Sequence, residues 1–322
     1  MERKTAADFD QELLILFDAY VHGAIDRRGF LDKAKKFAVG GVTSAMLLDA
    51  LNPKFAEAQQ VAKDDKRINA EYLEFSSPKG YGNMRGYYVR PASGTGASAS
   101  DSAQPRSRSR SARLGASRRV RVPAVLVVHE NRGLNPHIED IARRLALEGF
   151  IAFAPDALFP LGGYPGDEDK ARELFQKLDQ TKTREDFIAA ANFLRTRPET
   201  TGRIGVVGFC YGGGMAHFLA TRMPELGAAV PFYGNSPAPE EAAKVKVPLL
   251  IHFAEKDERI NAAWPAYEAA LKASNVNYQA YSYAGTQHGF NNDTTPRYDE
   301  AAAKLAWKRT IDFFRKHLHA QS

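Results

Sequence analysis

From Val122 onward the chain repeats one pattern, a short run of Val, Ile, Leu and Ala followed by a stretch of helical periodicity. The runs are VPAVLVVHE, FIAFAPD, RIGVVGF, LGAAVPFYG, VPLLIHFAEKD and VNYQAYSYAG, and the last helix is expected from Pro296 to Leu318. A strand that is apolar on both sides has no face to offer water. Such strands, each returning through a helix, predict a mainly parallel sheet covered on both faces. Upstream, INAEYLEFSSPKGYGNMRGYYVRPA holds two runs rich in Tyr, Phe and Val around Pro78-Lys79-Gly80, the signature of a hairpin. The expected fold class is therefore α/β, with a mainly parallel central sheet, an antiparallel edge hairpin and helices on both faces. No Gly-rich dinucleotide fingerprint follows the first parallel strand, so no organic cofactor is expected.

Charge and cysteine content narrow the function classes. The net charge is +6, and residues 92–121, with seven Arg and one Asp, account for it. The basic balance thus belongs to one Ser/Gly/Arg-rich segment, 92–120, expected to be a disordered insertion because it lacks apolar periodicity. No aromatic residues are interleaved there to stack on bases, so no nucleic-acid partner is expected. One cysteine in 322 residues rules out an internal disulfide and a Cys-based zinc site, and no metal is expected.

Residues 1–60 form a separate unit, with helices expected over 8–24 and 31–51. Arg27 and Arg28 precede Phe30 and Leu31, the uncharged run Phe37–Leu48 follows, and Ala56-Glu57-Ala58 comes after it. This order is similar to a twin-arginine export signal with an A-x-A cleavage site, which makes a periplasmic location the expectation. The run is too short for a stable membrane span. The alternative is an amphipathic helical extension that stays on a cytoplasmic protein.

In a sheet of this kind reactive groups gather at the carboxyl ends of the strands. Three such ends carry a nucleophile, an acid and a base. Gly208-Phe209-Cys210-Tyr211-Gly212 is a G-x-C-x-G form of the nucleophile elbow, whose small flanking residues permit the sharp strand-to-helix turn. A helix starting at Tyr211 places its positive end beside the thiol and favours both a thiolate and an oxyanion. Asp257 ends LLIHFAEKD, with Glu255 and Glu258 as competitors, and His288 lies in YAGTQHGF after the last strand. The chain order of nucleophile, acid and base is that of α/β-hydrolases. His129 and His137, beside the loop after the first parallel strand, are the alternatives to His288.

HENRGL, GFCYGGG, AEKD and QHGF, in this order, resemble the dienelactone hydrolase family over residues 66–318. The resemblance implies an α/β-hydrolase fold for residues 61–322 and a triad of Cys210, Asp257 and His288. It implies further that Glu130 holds the resting thiol and helps to activate it. Asn131 and Tyr211 would supply the oxyanion-hole N–H groups. The implied activity is hydrolysis of a small-molecule lactone or activated ester through a cysteine nucleophile and a thioester, without cofactor. A catalytically inactive ligand-binding member of the fold is the alternative.

At two positions the chain departs from the family. PDALFPLGGYPG contains no Arg, and Asn292 stands four residues after His288, where family members place arginines for the substrate's carboxylate. The reaction type is thus expected to carry over and the namesake substrate is not, with Arg132 and Arg297 left as candidate clamps. Expected pocket linings are Phe159, Tyr164, Tyr233, Trp264 and Phe290. Neither the natural substrate nor the oligomeric state follows from the sequence.

Overall fold

The computed structural model describes residues 4–92 and 121–319, so the insertion assigned to 92–120 lies, from residue 93 on, outside the described residues. The strands are β1 (Ile68–Ser77), β2 (Gly82–Pro91), β3 (Val122–Val128), β4 (Ile151–Pro155), β5 (Thr200–Phe209), β6 (Ala228–Phe232), β7 (Leu249–Ala254) and β8 (Tyr278–Tyr283). They form a sheet in the order β1-β2-β4-β3-β5-β6-β7-β8. The hairpin β1–β2 is antiparallel, β2 joins β4 antiparallel, and the remaining pairs are parallel. The expected edge hairpin on a parallel sheet is therefore present.

Two apolar layers cover the sheet. In β3 the side chains of Ala124, Leu126 and Val128 enter one layer, and Val125 and Val127 enter the other. This is the alternation of a strand buried on both sides, and burying each Val or Leu contributes about 1.5–3 kcal/mol. Helices α7 (Gln180–Arg195), α8 (Tyr211–Arg222) and α10 (Trp264–Ala273) fill the first layer; α5 (Pro136–Leu147) and α11 (Glu300–Leu318) fill the second. Short helices α6 (Glu168–Gln176) and α9 (Glu258–Asn261) follow β4 and β7. Local signals set the helix starts: Asn135 accepts from the Ile138 N–H with Pro136 in the first turn, and Asp257 caps α9 through the Ile260 N–H.

The extension folds into shorter helices than its periodicity predicts. They are α1 (Gln11–Val21), α2 (Arg27–Ala34), α3 (Ser44–Leu51) and α4 (Phe55–Ala58). Gly23 (φ 78°) turns the chain between α1 and α2, and Gly40 and Gly41 (φ 61° and 86°) turn it before α3. Asp26 and Thr43 then cap the new starts. Leu13, Leu14, Phe17, Tyr20, Phe30, Ala34, Leu48 and Leu51 form a third apolar cluster. Polar contacts dock this unit on the hydrolase domain: Arg27 pairs with Asp169 at 3.0 Å, the Lys54 N–H donates to the Thr294 carbonyl, and the Asp140 carboxylate receives the Gln60 and Val61 N–H groups. Among the described residues no helix is long and apolar enough to cross a membrane.

Candidate active site

β5 ends at Phe209 and α8 begins at Tyr211, leaving Cys210 alone at the turn with φ 55° and ψ −112°. A positive φ costs a side-chain-bearing residue of order 1–3 kcal/mol and persists only where the surroundings enforce it. Here the enforcement is close backbone packing. A Cβ on Gly208 would lie 1.9 Å from the Gly212 carbonyl oxygen, and one on Gly212 would lie 2.2 Å from that of Val128. Tyr211 sends its ring away from the thiol, onto His129 and Phe175, and its hydroxyl donates to Gln180. Its backbone N–H, the first of α8, has no partner within the helix.

Asp257 and His288 converge on this turn from the ends of β7 and β8. His288 Nδ1 donates to Asp257 Oδ2 at 2.5 Å, which orients the ring and leaves Nε2 for acid–base work. That Nε2 is buried, and a ring nitrogen of His288 lies within 4.8 Å of Cys210 Sγ. Tyr233 supports the ring from behind at 5.0 Å.

A second imidazole makes the hydrogen bond of regular geometry to the thiol. His22, just past the end of α1, places Nε2 3.2 Å from Cys210 Sγ. Its Nδ1 faces the Asp18 carbonyl at 2.8 Å and the Asp18 carboxylate at 3.3 Å. The two imidazoles meet edge to face with centroids 4.7 Å apart. Among the described residues His22, Cys210 and His288 are also the group whose donor atoms converge as a metal ion would require. Each imidazole here is tied to a carboxylate through its other nitrogen, the arrangement of an acid–base relay.

Electrostatics follow from this geometry. Burial alone would raise the Cys210 thiol, but His22 and His288 outweigh it and hold the thiol at about 6. Burial opposes the His288 cation, and the thiolate together with Asp257 overcomes it and lifts the imidazole to about 10. His22 is likewise raised, because Cys210 and Asp18 outweigh its burial. Burial works against the Asp18 carboxylate too, and His22, His288 and Arg297 nevertheless hold it far below the usual carboxylate range. The site therefore favours a thiolate at neutral pH.

The other expected site residues divide. Glu130, implied by the resemblance to hold the resting thiol, instead accepts from Asn292 Nδ2 at 3.0 Å, while α1 brings His22 to the sulfur. Asn131 and Arg132, on the loop after β3, both donate to the Val21 carbonyl, at 2.9 and 3.2 Å, and Arg132 faces Glu168 at 3.6 Å. Tyr164 donates to the same Glu168. Phe159 lies under the Arg85 guanidinium. Trp264 is brought elsewhere: it packs on Phe253 and Tyr278 in the apolar layer that α10 covers. Phe290 is fully buried among Phe232, Tyr233 and Tyr283 and anchors the His288 loop. His129 accepts from the Ala157 N–H and His137 faces Asp293, so both serve the scaffold. A cavity of about 690 Å³ opens beside the two imidazoles, between α1 and the loops after β7 and β8.

Asp18 and His22 were missed in the sequence. Their spacing in FDAYVHG places them on one helix face, but nothing local says which surface that face meets.

A parallel sheet with an elbow at β5, a carboxylate after β7 and a histidine after β8 defines an α/β-hydrolase. The chain belongs to the dienelactone hydrolase family, whose model matches residues 111–318, and is a carboxylic ester or lactone hydrolase. A second model, described as YqhI-like, matches residues 1–39. Among similar proteins is the "Putative hydrolase fragment YghX" of Escherichia coli K12, 46% identical over 44% of this chain and 99% of that one. A "Putative carboxymethylenebutenolidase" of Yersinia pestis is 31% identical over 61% of this chain and 78% of its own. The crystal structure of a "Putative Dienelactone Hydrolase" from Klebsiella pneumoniae subsp. pneumoniae MGH 78578 is 28% identical, covers 77% of this chain and 99% of its own, and superposes with a TM-score of 0.61.

Proposed function

We propose that this enzyme opens a lactone or activated ester with Cys210 as nucleophile, through a thioester that water then hydrolyses. The observation that carries the reading is the lone cysteine on a strained elbow, held as a thiolate beside an imidazole that a buried aspartate orients. The thiolate adds to the acyl carbon, and the Tyr211 and Asn131 N–H groups stabilise the oxyanion, each worth about 3–4 kcal/mol. The adduct then collapses, the C–O bond breaks and the alkoxide departs with a proton, leaving the thioester; His288, positioned by Asp257, takes the proton of the attacking water and the sulfur leaves. Arg132 is engaged by Glu168 and Arg297 by Asp18 at 3.2 Å, so both candidate clamps already face carboxylates. We therefore assign a neutral acyl group to the substrate, in place of one bearing a free carboxylate.

Rapid quenching of a reaction with p-nitrophenyl acetate, followed by peptide mass spectrometry, tests the thioester. The acetyl group is expected on the peptide that contains Cys210. Its rate of appearance should be half-maximal near pH 6 and fall about tenfold per unit below that, because only the thiolate attacks and it is lost as pH drops through the thiol's pKa of about 6. Steady turnover with no acylated Cys210 would sink the reading.

We also propose that residues 1–58 stay with the domain. Export with cleavage remains the competing expectation, and what supports retention is the packing: Phe30 and Ala34, just past the twin arginines, are fully buried, and Ala58 of the A-x-A site is buried as well. N-terminal sequencing of protein from its native host is expected to give a start ahead of α1. A start near Gln59 would overturn retention.

A further inference from the structure

We propose that Asp18 and His22, supplied by the N-terminal extension, are a second histidine–carboxylate dyad that takes the proton of the Cys210 thiol. The proposal rests on the thiol-hydrolase reading above and adds to it the group that generates the nucleophile. Three observations lead to it. The sulfur is hydrogen-bonded to His22 Nε2 at 3.2 Å, whereas His288, which also interacts with the thiol, makes no bond of regular geometry through its Nε2. Nδ1 of His22 is turned to Asp18, so its proton sits on that side and Nε2 is left as the acceptor.

The third observation is that the ring is held in place by bonds from the hydrolase domain. The carbonyls of the last turn of α1, which have no partner inside the helix, receive Arg172 at Tyr20 (2.7 Å) and both Arg132 and Asn131 at Val21. Arg297 grips Asp18 Oδ1 at 3.2 Å. A surface helix resting on a domain by chance would not have three buried or half-buried polar side chains on its terminal carbonyls and a fourth on its carboxylate.

The proton and electron balance is simple. The S–H bond breaks as an N–H bond forms at His22 Nε2, leaving a thiolate beside an imidazolium. The thiolate forms the C–S bond, the carbonyl pair moves to oxygen, and on collapse the C–O bond to the leaving group breaks. The departing alkoxide takes the proton from His22 Nε2, which returns to neutral. With the thiolate consumed in the thioester, the His288 proton is no longer held by it and passes to solvent, which leaves His288 as the base for the water of the second half-reaction. The charged and titratable groups facing this pair are Asp18 from α1, Arg259 of α9 at 3.2 Å from His22 Nε2, and His288 with its Asp257 from the loops after β8 and β7. Arg132 from the loop after β3 and the buried Tyr233 hydroxyl after β6 complete the surroundings.

Since the chain has one cysteine, alkylation by iodoacetamide reads this thiol alone and needs no turnover. The full-length protein, His22→Gln and Asp18→Asn are compared for alkylation rate from pH 5 to 9, for kcat and KM on p-nitrophenyl acetate, and for Tm. His22→Gln is expected to move the alkylation midpoint up by at least about one unit, to slow alkylation at pH 6 about tenfold, and to lower kcat about 10²-fold with little change in KM. Asp18→Asn, which keeps the imidazole, should move the midpoint in the same direction by less. An unshifted midpoint in both variants, or a gain in kcat on removing the imidazole, the result of a plug, overturns the proposal. If wild type alkylates as described yet hydrolyses no ester while His22→Gln still shifts the midpoint, the hydrolase reading falls and the dyad stands.

Discussion

Cys210→Ala is expected to hydrolyse aryl esters at least about 10⁴-fold more slowly than wild type, the scale on which nucleophile removal acts in enzymes whose catalytic groups work as a unit. No second cysteine exists to replace it. The two imidazoles and the oxyanion donors remain, so a small residual rate over water should survive. The fold should not be the reason for the loss: the substitution removes one sulfur from a residue already 8% exposed, and Tm is expected within a few degrees of wild type. Cys210→Ser should be nearly as impaired, because two histidines that hold a thiol at about 6 will not ionise an alcohol. Steady-state rates of Cys210→Ala within tenfold of wild type would remove the thiol from the mechanism.

The second large effect concerns the elbow itself. Gly208→Ala is expected to yield little folded protein, or to lower stability by at least about 3 kcal/mol, the upper part of the range for overpacking. The new Cβ would meet the Gly212 carbonyl at 1.9 Å, and its nearest neighbours are all Gly212 backbone, so no flexible side chain can swing away. Gly214→Ala in the same glycine run is the control, since its nearest atom would be 3.7 Å off. Urea denaturation of the two variants decides it. Equal midpoints would show that the close approach of β5 and α8 tolerates a side chain.

How much of the site was legible follows from where its signals lie. Cys210, Asp257 and His288 each sit at a strand end whose strand is announced by its own apolar run, and their order along the chain is itself informative. The turn of Cys210 was readable because close packing demands glycines at fixed offsets, and Gly208 and Gly212 stand at them. Trp264 misled because an aromatic ten residues past a strand end, at the start of the next long helix, carries no record of which sheet face that helix covers; it packs on Phe253. The partner of Glu130 was hidden for a similar reason. Asn292, noted only as a missing arginine, proves to donate to that carboxylate across 162 residues.

The extension was read least well, and its case shows the limit. Its boundaries depended on caps and left-handed glycines that interrupt an otherwise continuous helical pattern. Its apolar run suited an export signal and a packed core alike, since both need only hydrophobic side chains.

Strand and helix alternation, the sharp turn at Cys210 and the order of acid and base were determined by the sequence by itself, because each depends on residues close together in the chain or on a periodicity it displays. Only the tertiary structure decided that His22 lies against a sulfur 188 residues away. That contact is created by the docking of one folded unit on another through Arg132, Arg172 and Arg297, and no periodicity encodes the relative placement of two surfaces.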